Sequence, residues 1–194
     1  MIGLAISFTS GRFHATPWGR HVNEAAPEWP PSPWRILRAI VATWKHKLGN
    51  DGICNPQVVE HLLRKLSAPP LFVLPAASLG HTRHFMLWFK KGPTDRTLIF
   101  DGFVALDKKQ PVICLWPELK LDQQESRAFA KIISTMGYLG RAESWTEARV
   151  LMDQDVEMAL NDVNCMPMVE NYEKSKFDTV RVLCADPVEA FENS

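Results

Sequence analysis

The chain has 194 residues, 46% of them hydrophobic, with seven tryptophans and a formal net charge of zero. That composition describes a folded globule holding one good core, or a core and part of a second domain, and it excludes a disordered polypeptide. No apolar run approaches membrane-spanning length, so no integral membrane segment is expected.

The neutral total hides a division. Residues 1–109 carry fourteen Lys+Arg against seven Asp+Glu, whereas residues 110–194 carry eight against fifteen. A basic half beside an acidic half fits a face for a polyanion and a face turned away from it, or simply two solvated surfaces. The four cysteines, Cys54, Cys114, Cys165 and Cys184, are widely spaced without a C-x-x-C pair. They read as free thiols of a reducing, cytoplasmic protein.

Ile2 to Ser10 is a short β-rich apolar run that predicts a buried first strand rather than a signal peptide. It opens into GRFHATPWGRHVNEAAPEWPPSPWRILR, from Gly11 to Arg38, with three tryptophans, two histidines, four arginines and five prolines. Connecting loops are usually short and polar. This one offers cations for phosphate and aromatic faces for bases, a chemistry suited to RNA.

Ser32-Pro33 supplies an N-cap followed by proline at the first helical position. Trp34, Leu37, Val41 and Trp44, with Ile36 and Ile40 beside them, then recur at helical spacing and predict a buried face, with Arg35, Arg38, Lys45 and Lys47 elsewhere on the wheel. The helix should end near Gly49 to Gly52. Asn55-Pro56 starts a second helix running to about Leu66. Leu71 to Leu74 and His81 to Phe89 read as strands, and Leu98 to Asp107 with Pro111 to Trp116 reads as a hairpin. Asp122 and Glu125 form a capping-box pattern before a helix buried through Phe129, Ile132, Ile133 and Met136, with Gly137 ending it. Trp145 to Met152 follows as a strand. Residues 153–179 are acidic and read as irregular with a short helix near Val156 to Leu160, and Thr179 to Cys184 as one more strand. The succession fits an α+β, ferredoxin-like β-α-β-β-α-β sandwich whose helices cover one sheet face and leave the other free. Residues 1–155 would form that domain, and 156–194 an acidic linker with the start of a second one.

The motifs FTSGRFHATPWGRHVNEAAPEWPPSPWRILRAIVATW, HTRHFM, FDGFVALD and GYLGRAESWTEARVL closely resemble the RAMP-superfamily subunit of type I-U (I-G) CRISPR systems. That subunit is a fusion of a Cas-five-type crRNA handle-binding protein and a Cas-six-type crRNA-processing endoribonuclease. The resemblance covers roughly residues 3–152, its N-terminal part. It implies crRNA or repeat RNA and the other subunits of a type I effector complex as partners, and no membrane, metal or small-molecule cofactor. It also implies RNA held by the sheet and by a glycine-rich loop at Gly137 to Arg141, and metal-independent cleavage by a histidine near the first helix, His14 or His21. The glycine-rich loop is shorter than the family's usual pattern, and the chain stops near where a second RAMP domain is expected.

Cleavage of RNA without metal needs a base for the ribose 2′-OH, an acid for the leaving oxygen and cations for the phosphorane, and leaves a 2′,3′-cyclic phosphate. His14 and His21, beside Arg12 and Arg20, have the chemistry for it; alternatively both imidazoles only order the loop. RNA contacts are expected at Arg12, Trp18, Arg20, Arg35, Arg83, His84, Gly140 and Arg141. Trp34, on the apolar stripe, is expected in the core, and Arg141 could instead pair with Glu143 or Glu147. On a strand His81 and Arg83 share one face and Thr82 and His84 the other, which disfavours a zinc site there. A docking subunit that touches no RNA is the alternative from a different class.

Overall fold

The computed structural model describes residues 1–21, 24–49, 51–87, 96–168 and 178–186. In chain order its elements are β1 (Ile2–Phe8), β2 (Arg12–Phe13), α1 (Pro33–Lys47), a 3₁₀ turn (Gly52–Cys54), α2 (Pro56–Leu66), β3 (Leu71–Val73) and β4 (Ala77–Leu87). They continue as β5 (Arg96–Leu106), β6 (Val112–Trp116), α3 (Gln123–Thr135), β7 (Thr146–Met152) and α4 (Asp153–Leu160).

Three helices begin where side chains can satisfy the first-turn amides that an α-helix leaves without partners. The Ser32 hydroxyl accepts from Arg35 N–H and Asn55 from Val58 N–H, each with proline at the first turn. Asp122 and Glu125 complete the expected capping box reciprocally.

Four strands form an antiparallel sheet in the order β3-β6-β1-β7. Strand alternation turns Ile2, Leu4, Ile6 and Phe8 of β1 to one face. There they share the main core with Ile36 and Ile40 of α1, Val59 and Leu62 of α2, and Phe129 and Ile132 of α3. Around this sheet the chain runs strand, helices, strand, strand, helix, strand, with β4 and β5 inserted between β3 and β6.

The second face of the sheet is not free. Ala5, Leu115 and Leu151 point there and are covered by Val156 and Ala159 of α4. Residue 155 therefore lies inside a helix that packs on the sheet. Beyond it Cys165 bridges to Phe72, and the Asn164 amide exchanges hydrogen bonds with the Leu74 backbone.

The expected hairpin of Leu98–Asp107 with Pro111–Trp116 does not form. β5 pairs instead with β4, residue for residue from Ala77↔Leu106 to Leu87↔Arg96, and with the short β2. β6 crosses to the other sheet and lies between β1 and β3. The reason is burial. Val-Ile-Cys-Leu-Trp is a near-continuous apolar run suited to a central strand, while β5 carries Asp101 and Gly102 at its middle. Residues 178–186 contain no strand: among the described residues, their backbone meets α1, where Trp34 N–H donates to the Leu183 carbonyl, and pairs with no strand. Trp88 and Phe89, expected at the end of a strand, lie outside the described residues. Among the described residues no helix is long and apolar enough to cross a membrane.

Candidate nucleic-acid interface

The long crossover after β1 divides into a buried node and an exposed groove. Phe13 enters the core, and His14 beside it is only 5% exposed. The His14 Nδ1 lies 2.6 Å from Glu143 Oε1 and its Nε2 3.0 Å from Asp101 Oδ1. A carboxylate can only accept, so making both bonds together takes a ring with a proton on each nitrogen or a proton on one of the carboxyls. Asp101 also accepts from Arg141 Nη1 at 2.9 and 3.2 Å. The backbone closes the same node: His14 N–H donates to Ser144 Oγ at 2.8 Å, and Arg141 N–H donates to the His14 carbonyl at 2.8 Å. Three segments remote in sequence, namely the crossover, β5 and the loop after α3, are tied together here.

Gly140 makes that approach feasible. Its φ is +91°, and a Cβ there would stand 2.6 Å from the His14 carbonyl oxygen. Only glycine accepts both conditions without strain.

A second tie holds the rest of the crossover. Arg35 Nε and Nη2 bind Glu28 Oε1 and Oε2 at 2.8 and 3.0 Å, and Nη2 also donates to the Thr16 carbonyl at 2.9 Å. Glu28 is itself buried and accepts from Ser32 N–H. A two-point guanidinium–carboxylate pair of this kind fixes orientation as well as charge.

Between these ties lies a groove of about 500 Å³. Its floor is the outer face of α1, where Arg35, Arg38, Ala39, Ala42, His46 and Lys47 recur at helical spacing. One wall is Thr16 to Arg20, and the other is the glycine-bearing loop through Gly137, Tyr138 and Gly140. Three aromatic side chains stand open in it: Trp18 at 74% exposure, Tyr138 at 50% and Trp34 at 38%. Trp34 is thus not a core residue. It lies about 200° from Ile36 on the helical wheel, and the face that is buried runs through Ile36, Leu37, Ile40, Thr43 and Trp44.

The groove gathers Trp18, Arg20, Arg35 and Gly140 of the residues expected to meet RNA, and adds Arg38, His46, Lys47 and Tyr138. It does not gather the others. His14 and Arg141 are spent in the buried node. Arg141 pairs with Asp101 and not with Glu143 or Glu147. His21 is exposed on the crossover, and Arg20 pairs there with Glu24 at 3.1 Å. Glu24, receiving bonds from the His21 backbone and from Arg20, has its carboxyl held below the usual range.

Arg12, Arg83 and His84 belong to the β4–β5 arm and its partner β2. The Arg12 guanidinium lies 4.8 Å from the Phe103 ring centre and that of Arg83 lies 5.3 Å from Phe100. Arg83 Nε also donates to His81 Nε2 at 3.3 Å, so the two share a face while His84 points to the other. Among the described residues no cluster of metal-ligating side chains includes these histidines. The His14, Asp101 and Glu143 ligand atoms do lie within 4.8 Å of one another, the one such group among the described residues. Both ring nitrogens already face carboxylates at hydrogen-bond distance, and the Asp101 carboxylate also pairs with Arg141, so these atoms are engaged with one another.

No protein-family model and no curated protein matches the chain. Among solved structures, a Cas6 product complex superposes with a TM-score of 0.38 at 15% identity, over 77% of this chain. The chain spans about half the length of that protein, 50% of which is covered.

Proposed function

We propose that this chain is an RNA-gripping RAMP subunit of a type I CRISPR effector, and that the groove between α1, the Trp18 turn and the Gly137–Gly140 loop is where it holds crRNA or repeat RNA. The observation that carries the reading is the groove itself: Arg20, Arg38 and Lys47 supply charge for phosphates, His46 adds an imidazole able to hydrogen-bond, and Trp18, Trp34 and Tyr138 supply open ring faces for unpaired bases. The motif resemblance across residues 3–152 supports the same assignment. So does the sheet order β3-β6-β1-β7, which we read as a ferredoxin-like domain interrupted by the β4–β5 arm. In this reading residues up to α4 form the RAMP domain and the acidic remainder leads toward a second one. Arg12, Arg83 and His84 would extend the RNA contact along the arm.

We read the two histidines differently. His14, buried with both nitrogens engaged, orders the site as a positioning residue, as does Arg141. His21, exposed, is the imidazole with access to a ribose 2′-OH. A gel of repeat RNA incubated with the protein in EDTA tests both parts. A shifted, intact band is expected of a binder. Cleavage to a 2′,3′-cyclic phosphate, lost in His21→Ala and kept in His21 protein, adds the nuclease. RNA that neither shifts nor breaks at low salt overturns the reading.

One observation favours a protein-docking role as the second reading. Leu79 and Phe85 stand exposed on the face of β4 that also carries His81 and Arg83, a mixed apolar and polar surface of the kind a neighbouring subunit would cover. Binding that ignores salt and the groove cations would support it.

A further inference from the structure

Residues 178–186 cross the body at the end of the groove. The Leu183 carbonyl accepts a hydrogen bond from Trp34 N–H at 3.1 Å, one of the first-turn donors of α1. Leu183 also stands between two cavities. One is the groove, and the other, about 440 Å³ and open to solvent, is lined by Pro17–Trp18, Pro27–Trp29 and Val180–Leu183. The segment has a narrow footing: Ala185 packs against the main core and Cys184 is half-buried, while the Val180 and Leu183 side chains remain exposed.

We propose that residues 178–186 form a strap that closes the α1 end of the groove, and that a ribonucleotide strand lying in the groove displaces it. The inference rests on the RNA reading above. The two cavities share Pro17, Trp18, Glu28 and Leu183 as walls. Glu28 is locked by Arg35 and Ser32, so the strap is the part that can leave. Lifting it merges the two cavities into one trough past Trp18. It also uncovers the start of α1, where the helix dipole favours an anionic phosphate over the neutral carbonyl that now sits there. The exchange gives up one backbone hydrogen bond and a small apolar contact.

Cys184 reports the state of the strap. Site-resolved alkylation with iodoacetamide would be followed on the full chain, alone and saturated with a fluorescent single-stranded oligouridylate of about 12 nucleotides. RNA is expected to raise the Cys184 rate by about fivefold or more, while buried Cys54 stays unchanged. Ala185→Gln, which disrupts the footing without adding charge, is expected to raise Cys184 labelling without RNA. It should also tighten RNA binding by about three- to tenfold, because the competent state no longer competes with the closed one. The strap is overturned if RNA binds while Cys184 labelling stays constant in the unsubstituted protein, a comparison that needs no variant. RNA failing to bind either protein at low salt would instead remove the RNA reading, and the strap's role with it.

Discussion

His14 Nε2 stands 3.0 Å from Asp101 Oδ1, which joins the crossover after the first strand to the middle of the β5 strand of the arm. The opposite ring nitrogen meets Glu143, and Asp101 in turn holds Arg141, so one buried imidazole connects the arm with the glycine-bearing wall of the groove. The groove's shape depends on that connection.

Replacing His14 by alanine should therefore act on stability before it acts on chemistry. The change leaves a half-buried Asp101 with one partner fewer and opens a polar gap beside Phe13. A loss of about 2–4 kcal/mol in urea unfolding is expected, with RNA binding weakened in proportion to the unfolded or loosened fraction. A His14→Ala protein of unchanged stability that loses only cleavage would show that the histidine is the catalytic base after all.

Two glycines with positive φ should behave differently. At Gly140 (φ +91°) an alanine Cβ meets the His14 carbonyl, whereas at Gly19 (φ +80°) nothing lies within 4 Å. Gly19→Ala should cost about 1 kcal/mol from conformation alone, and Gly140→Ala about 2–3 kcal/mol or more because the loop must also move. Thermal melts of the two proteins compare them directly. Equal melting temperatures would mean that the loop after α3 does not rest on His14 as described.

Burial pushes the Cys114 thiol well above its ordinary value of 9.0. Below that ordinary value folded and unfolded chains both keep the proton, so this group contributes no pH dependence. Above it the unfolded chain releases a proton that the folded chain retains, and stability must fall as pH rises, by up to about 1.4 kcal/mol per pH unit for one such thiol. Denaturant midpoints measured from neutral pH to above pH 9 should drop more steeply for the native protein than for Cys114→Ala. Parallel curves would contradict it.

Local chemistry made much of the fold legible. Ser32-Pro33, Asn55-Pro56 and Asp122 with Glu125 mark the starts of α1, α2 and α3 because a cap is a bargain between neighbours three residues apart. Strand pairing was not legible in the same way. β5 and β6 are adjacent in sequence, and nothing in the Lys108 to Gln110 turn shows that one joins the arm and the other the main sheet. The groove was half visible, since Trp18, Arg20, Arg35 and Arg38 sit in one conspicuous stretch. The Tyr138 wall comes from about a hundred residues further on. The buried state of His14 was hidden for the same reason, because its Glu143 partner is 129 residues away.

In the proposed reading the groove along α1 grips a ribonucleotide backbone. The most direct measurement is the affinity of a labelled single-stranded repeat RNA, followed by fluorescence anisotropy between about 50 and 200 mM salt. It would be made for the native protein, for Arg38→Ala and Lys47→Ala, and for Trp18→Ala. We predict affinity that falls steeply with salt, and a slope of log K against log salt that shrinks by about 0.7 for each groove cation removed. Trp18→Ala should lose about 1–3 kcal/mol of binding with the fold and the slope unchanged. Affinity indifferent to salt, or equal in all four proteins, would contradict the claim.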